Sequence, residues 1–247
     1  MRQFVGFMVA GYPSREESIG VIRDCCAAGL DVLELGFPAR DASMDGPVIR
    51  AADALVDPAL AEDLPYWREI RRVVSIPIWL MGYREDLLRE DICFRLAEEG
   101  LYDALVIPDM TETERAALRQ RLTPLGIQVM GFINGEQSPA ERDLALREAE
   151  LIYHQLYCGE TGIAHNDSGY LQLYEYARAH TRAKIYAGFG ISTPERVREL
   201  LGHGYDGTII GSAIMQHLLE GEAGALAFIR QVHETTRATD PAGEEKA

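Results

Sequence analysis

Lysine is almost absent from this 247-residue chain, occurring only as Lys184 and Lys246. Lys184 opens a strand-like run and Lys246 stands beside the last residue, so neither offers the pocket amine that Schiff-base chemistry needs. Basic residues are scarce altogether: 24 Lys and Arg face 39 Asp and Glu, a formal charge of −15. Long-range repulsion at that charge disfavours nucleic acid and anionic membrane surfaces as partners. No run approaches the roughly 20 apolar residues of a membrane span. The opening Met1-Arg2-Gln3-Phe4 leads into a strand pattern instead of a secretory signal, so a cytoplasmic protein is expected. Cys25, Cys26, Cys93 and Cys158 show no C-x-x-C spacing, and the six histidines form no metal-ligand pair with a carboxylate. Free thiols and no metal are expected. No G-x-G-x-x-G opens an early βαβ unit, so the nicotinamide cofactors have no evident site.

What is present is a regular alternation of short β-branched runs and amphipathic helical runs. Strands are predicted at 4–10, 32–37, 77–83, 104–109, 128–133, 151–157, 184–190 and 207–212. Helices are predicted at 14–28, 47–74, 84–99, 111–125, 139–150, 166–180, 193–201 and 213–236, several opened by Ser, Thr or Asp and closed by Gly. Eight βα pairs without a break in composition predict an α/β fold, a (β/α)8 TIM barrel, as a single domain over 1–238; an open doubly wound sheet is the alternative. The polar tail 239–247 is expected to be disordered.

Barrel chemistry sits on the loops after the strands. The seventh strand ends Ala187-Gly188-Phe189-Gly190-Ile191-Ser192 and the eighth ends Ile210-Gly211-Ser212-Ala213-Ile214, each followed at once by a helix. Backbone N–H groups without an intervening Cβ, at a helix N-terminus, suit a phosphate. The loop Cys158-Gly159-Glu160-Thr161-Gly162 adds a third set of donors. Taken alone, any of these glycines would only turn a tight corner. In the second strand, Val32-Leu33-Glu34-Leu35-Gly36, alternation sends Glu34 inward, where desolvation raises its pKa and suits it to general acid–base work. An ion pair with an inward Arg would be the purely structural use of Glu34. Asp45, before Gly46-Pro47, reads as a second carboxylate, held ionised by nearby N–H donors, or as a helix N-cap.

Taken in order, these junctions resemble the tryptophan synthase α subunit family. The matching pieces are Phe7-Met8-Val9-Ala10-Gly11-Tyr12-Pro13, Glu34-Leu35-Gly36-Phe37-Pro38, Asp45-Gly46-Pro47-Val48-Ile49 and Val106-Ile107-Pro108-Asp109, then Gly159-x-Thr161-Gly162, Gly188-Phe189-Gly190-Ile191-Ser192 and Gly211-Ser212-Ala213-Ile214. The resemblance implies a lyase that cleaves indole-3-glycerol phosphate to indole and glyceraldehyde 3-phosphate by a retro-aldol route, with no cofactor. It implies catalytic roles for Glu34, Asp45 and Tyr153, substrate contacts from Phe7, Tyr83, Asp109 and Thr161, and a phosphate site at Gly162, Gly190, Gly211 and Ser212. It also implies a β-type partner subunit, docking on the loops after the second and sixth strands. Docking is expected to be weaker than is usual in the family, since Arg40 to Met44 depart from its pattern, as do Leu156-Tyr157-Cys158 and Glu85. The residues alone leave open another phosphate-barrel lyase or isomerase, or a weakly catalytic activating subunit.

Overall fold

The computed structural model describes residues 1–157 and 169–240. Strand β1 (Gln3–Val9) leads to helix α1 (Arg15–Ala27), whose N-cap Ser14 accepts the Glu17 N–H. Strand β2 (Val32–Gly36) is followed by α2 (Pro47–Asp53) and α3 (Leu64–Val73), and β3 (Ile78–Met81) by α4 (Arg84–Leu87) and α5 (Ile92–Glu98). Strand β4 (Ala104–Val106) precedes α6 (Glu112–Leu122), which a Thr111–Glu114 capping box opens. Next come β5 (Gln128–Val129), β6 (Gly131–Ile133), α7 (Pro139–Glu148) and β7 (Leu151–Gln155). The chain then continues through α8 (Gly169–His180), β8 (Lys184–Gly188), α9 (Pro194–Gly202), β9 (Gly207–Ile210), α10 (Ser212–Glu220) and α11 (Glu222–Ala238).

The strands run in the order β5-β4-β3-β2-β1-β9-β8-β7-β6, and the pairings among the described residues are parallel. One residue, Met130, separates β5 from β6, so the chain itself joins the two edges and the sheet is a barrel. Alternate residues split into two cores. Val5, Val32, Trp79, Val106, Phe132 and Tyr153 are among those filling the barrel, while a larger cluster, including Phe4, Leu33, Leu35 and Ile152, packs between the sheet and the helices.

Four predicted elements prove to be composite. The predicted strand 128–133 is interrupted at Met130. The predicted helix 47–74 stops at Asp53, and Pro58 and Pro65, each after an Asp cap, open a short 3₁₀ turn and then α3. The predicted helix 213–236 breaks at Gly221, whose φ of 144° no helix accepts. Helix 84–99 is likewise divided where Glu90 and Asp91 turn left-handed. At the far end, the Asp240 carboxylate accepts the Arg2 backbone N–H at 3.2 Å. The remainder of the predicted tail, and the first residues of the predicted helix 166–180, lie outside the described residues.

Candidate active site

A cavity of about 290 Å³ opens at the C-terminal mouth of the barrel. Glu34 reaches it from β2, flanked in register by Phe7 of β1 and Trp79 of β3. The carboxyl is 3% exposed, and burial, then the neighbouring Asp45, pushes its pKa up to about 8. No basic side chain contributes to that shift, so the inward Arg partner that a structural role would require is not found among the described residues. Glu34 is therefore an uncharged acid at neutral pH.

Asp45 lines the same cavity from the loop before α2. The cap of α2 is Gly46, with no side-chain capping bond, so Asp45 is not the helix N-cap. The expected lowering of its pKa by N–H donors is not found, although the group stays ionised at neutral pH. Burial dominates and pushes its pKa up to about 6, while the Tyr83 hydroxyl facing it pulls the other way. Its loop is nonetheless firmly tied, because the Asp45 N–H donates to the Ala42 carbonyl at 2.9 Å and the Arg50 guanidinium donates to the Asp45 carbonyl.

Aromatic rings build the wall beside Glu34. Tyr153 stacks on Phe132 at 5.0 Å and meets Phe189 edge-on at 5.8 Å. Burial raises the Tyr153 hydroxyl pKa well above its ordinary value, and Glu34 adds to the rise. Phe7 lies against Gly36, where a Cβ would come within 2.8 Å of its ring. Gly190, Ile191, Ser192, Gly211, Ser212 and Ala213 also line the cavity. Gly211 caps α10 without a side-chain bond, leaving the first N–H groups of that nine-residue helix available to a ligand.

Of the predicted site residues, Phe7, Glu34, Asp45, Tyr153, Gly190, Gly211 and Ser212 come together in the cavity. Tyr83 stands behind Asp45 and does not line it. Asp109 does not reach it either: its carboxylate accepts the Arg84 N–H at the start of α4, which explains its place in the sequence. Thr161 and Gly162 lie outside the described residues. Phe37, which the resemblance places in the motif after β2, stacks on Trp67 at 5.4 Å on the outer side of the sheet. Phe132, Phe189, Ser192 and Gln216 are lining residues beyond the predicted set. Phe189 carries the clearest signal, since a φ of 72° is rare for a bulky residue and concentrates at functional sites.

Fold and cavity together define a (β/α)8 barrel with two buried carboxyls in a cavity at its C-terminal mouth. Residues 1–242 match the family described as tryptophan synthase alpha chain. The chain is 33% identical over 222 residues to the tryptophan synthase alpha chain of Methanoregula boonei, covering 86% of this chain and 83% of the relative. It is 32% identical over 229 residues to that of Geobacillus thermodenitrificans, covering 87% and 82%. The fold matches tryptophan synthase subunit alpha from Legionella pneumophila with a TM-score of 0.81 at 22% identity, covering 96% and 93% of the two chains. A chain of Mycobacterium tuberculosis tryptophan synthase gives 0.82, also at 22%, covering 96% and 93%. The chain belongs to the tryptophan synthase alpha chain family.

Proposed function

We propose that this chain is the lyase of tryptophan biosynthesis that cleaves indole-3-glycerol phosphate to indole and glyceraldehyde 3-phosphate, with Glu34 as acid and base and Asp45 as the partner of the indole N–H. The observation that carries this reading is a buried, cation-free Glu34 carboxyl facing the same aromatic-walled cavity as Asp45. A neutral acid donates its proton to indole C3, which breaks the aromaticity of the five-membered ring and leaves a positively charged iminium. A carboxylate at the N–H stabilises that charge. The Glu34 carboxylate then takes the side-chain hydroxyl proton while the carbon–carbon bond breaks, its electrons restoring the indole, and the acid is regenerated. Acid–base help of this kind contributes roughly 10²–10⁴-fold.

The flat ring pair Phe132–Tyr153 suits a planar bicycle better than the polar face of a sugar, which disfavours a non-indole phosphate as substrate. The N-terminus of α10 and the Gly190–Ser192 backbone supply the phosphate donors, which lets so acidic a protein bind an anion without a basic surface. Met44 and Leu55, 54% and 61% exposed near the mouth, offer apolar contact to a β-type partner subunit. No helix of the described residues is long and apolar enough to cross a membrane, and a cytoplasmic location fits this role. The test is a phosphate-site structure: crystals soaked in glycerol phosphate should show the anion at Ser212 and Gly190, whereas an anion elsewhere, ringed by Arg side chains, would defeat the assignment.

A further inference from the structure

Outside the barrel, α6 carries three buried charged residues. Glu112, Arg115 and Arg119 are 0%, 2% and 9% exposed. Each buried charge costs free energy unless it is paired, so their contacts need an explanation beyond solubility. They lie at the seam where β4 meets the interrupted fifth strand. The ladder there begins regularly, with the Gln128 N–H donating to the Asp103 carbonyl at 3.1 Å and the Met130 N–H to Leu105 at 3.0 Å. The next rung of a parallel ladder would join the Phe132 N–H to the Ile107 carbonyl. Instead, the Phe132 N–H donates to Glu112 Oε1 at 2.8 Å, and the Ile107 carbonyl accepts from Arg115 Nε at 3.1 Å and Nη2 at 2.9 Å. The ion pair itself closes the circuit, Arg115 Nη1 to Glu112 Oε1.

The inserted pair holds apart the two strands that wall the cavity. Arg115 Nη2 also takes the Pro108 carbonyl at 3.0 Å, and its guanidinium stands over the Phe132 ring at 4.4 Å. Pro108 and Phe132 both line the cavity, and Phe132 is the ring on which Tyr153 stacks. Arg119 completes the frame from the next turn, donating to Glu112 Oε2 at 3.1 Å and to the Val129 carbonyl at 3.0 Å.

We propose that the Glu112–Arg115 pair replaces one rung of the barrel and is a positioning device, setting the width and angle of the aromatic wall that receives the planar part of the substrate. This rests on the function proposed above. Neither Glu112 nor Arg115 lines the cavity, and the pair acts through Pro108 and Phe132. The phosphate end of the cavity, on β8, β9 and α10, shares none of its contacts and serves as an internal control.

The test uses two variants of the full chain and two probes, indole and inorganic phosphate, with Kd measured by calorimetry. The triple variant Glu112→Leu, Arg115→Met, Arg119→Met removes all three charges at once, so that no unpaired charge is left buried. It should weaken indole about tenfold, as expected for a misplaced wall, and leave phosphate within about twofold. Glu112→Gln keeps an acceptor for the Phe132 N–H and should stay within about threefold of wild type for indole. Unchanged indole affinity in the triple variant, or equal loss of both probes, would overturn the proposal. Hydrogen exchange of segment 128–134 in the free proteins decides the bracket without any ligand: faster exchange in the triple variant supports it, and unchanged protection overturns it. A wild type that binds phosphate but not indole strikes the proposed function instead.

Discussion

Tyr153 stands so close over Gly188 that a Cβ there would lie 2.3 Å from its ring and 2.4 Å from its hydroxyl oxygen. Gly188 ends β8, paired in register with Gln155 of β7, so the Tyr153 ring leans over β8 on one side and stacks on its register partner Phe132 of β6 on the other. Gly188→Ala should push the ring toward Glu34. Overpacking of this kind costs about 1–3 kcal/mol. The expected result is a lower Tm together with at least a tenfold fall in kcat/KM, read by calorimetry and steady-state kinetics. Normal kinetics would show that the placement of Tyr153 is unimportant.

Glu34→Gln keeps shape and hydrogen bonding and removes no charge at neutral pH, since the native group is protonated there. Substrate binding and fold should persist while kcat falls by about 10² or more, because an amide cannot give its proton to carbon. A variant that unfolds, or one that keeps most of its activity, would return Glu34 to a structural role.

The two carboxyls should also shape the response to pH. Folding raises both pKa values above the ordinary carboxylate range, Asp45 to about 6 and Glu34 to about 8. Between about pH 4 and pH 8 the folded chain therefore holds protons that the unfolded chain has lost, and stability falls as pH rises through that window. Glu34→Gln should flatten the upper part of the curve. In kcat/KM, activity should rise through about pH 6 as Asp45 ionises and fall above about pH 8 as Glu34 loses its proton, both values belonging to the interacting pair. A profile flat from pH 5 to pH 9 would contradict the assignment.

At the phosphate end, Ser212→Asp places a negative charge at the first position of α10, where the helix itself favours it. The fold should hold, KM for a phosphorylated substrate should rise about tenfold or more, and kcat at saturation should change little. Unaltered KM would move the phosphate away from α10.

Much of this arrangement was legible because βα alternation and inward–outward alternation are local signals. Glu34 among apolar neighbours, and the glycines 190 and 211 before two helices, are placed at the barrel mouth by spacing alone. The environment of Asp45 was not legible, since its burial arises from α2 and Tyr83 closing over a loop, a tertiary fact with no periodic trace. Phe132 falls in the predicted strand 128–133, but its partner Arg115 reads from sequence as an ordinary solvated helix charge. Only the missing rung between Ile107 and Phe132 shows why that charge is inside. Asp109 sits in a family motif and yet serves the N-terminus of α4, because motif membership does not say which way a side chain turns.

The most direct measurement is an assay of the purified chain, alone and with a β-type subunit, on indole-3-glycerol phosphate, following indole release beside the Glu34→Gln variant. The account predicts indole from the wild type without added metal or cofactor, and at least about a 10²-fold slower release from the variant. Absence of indole under both conditions, or equal rates from the two proteins, would contradict it.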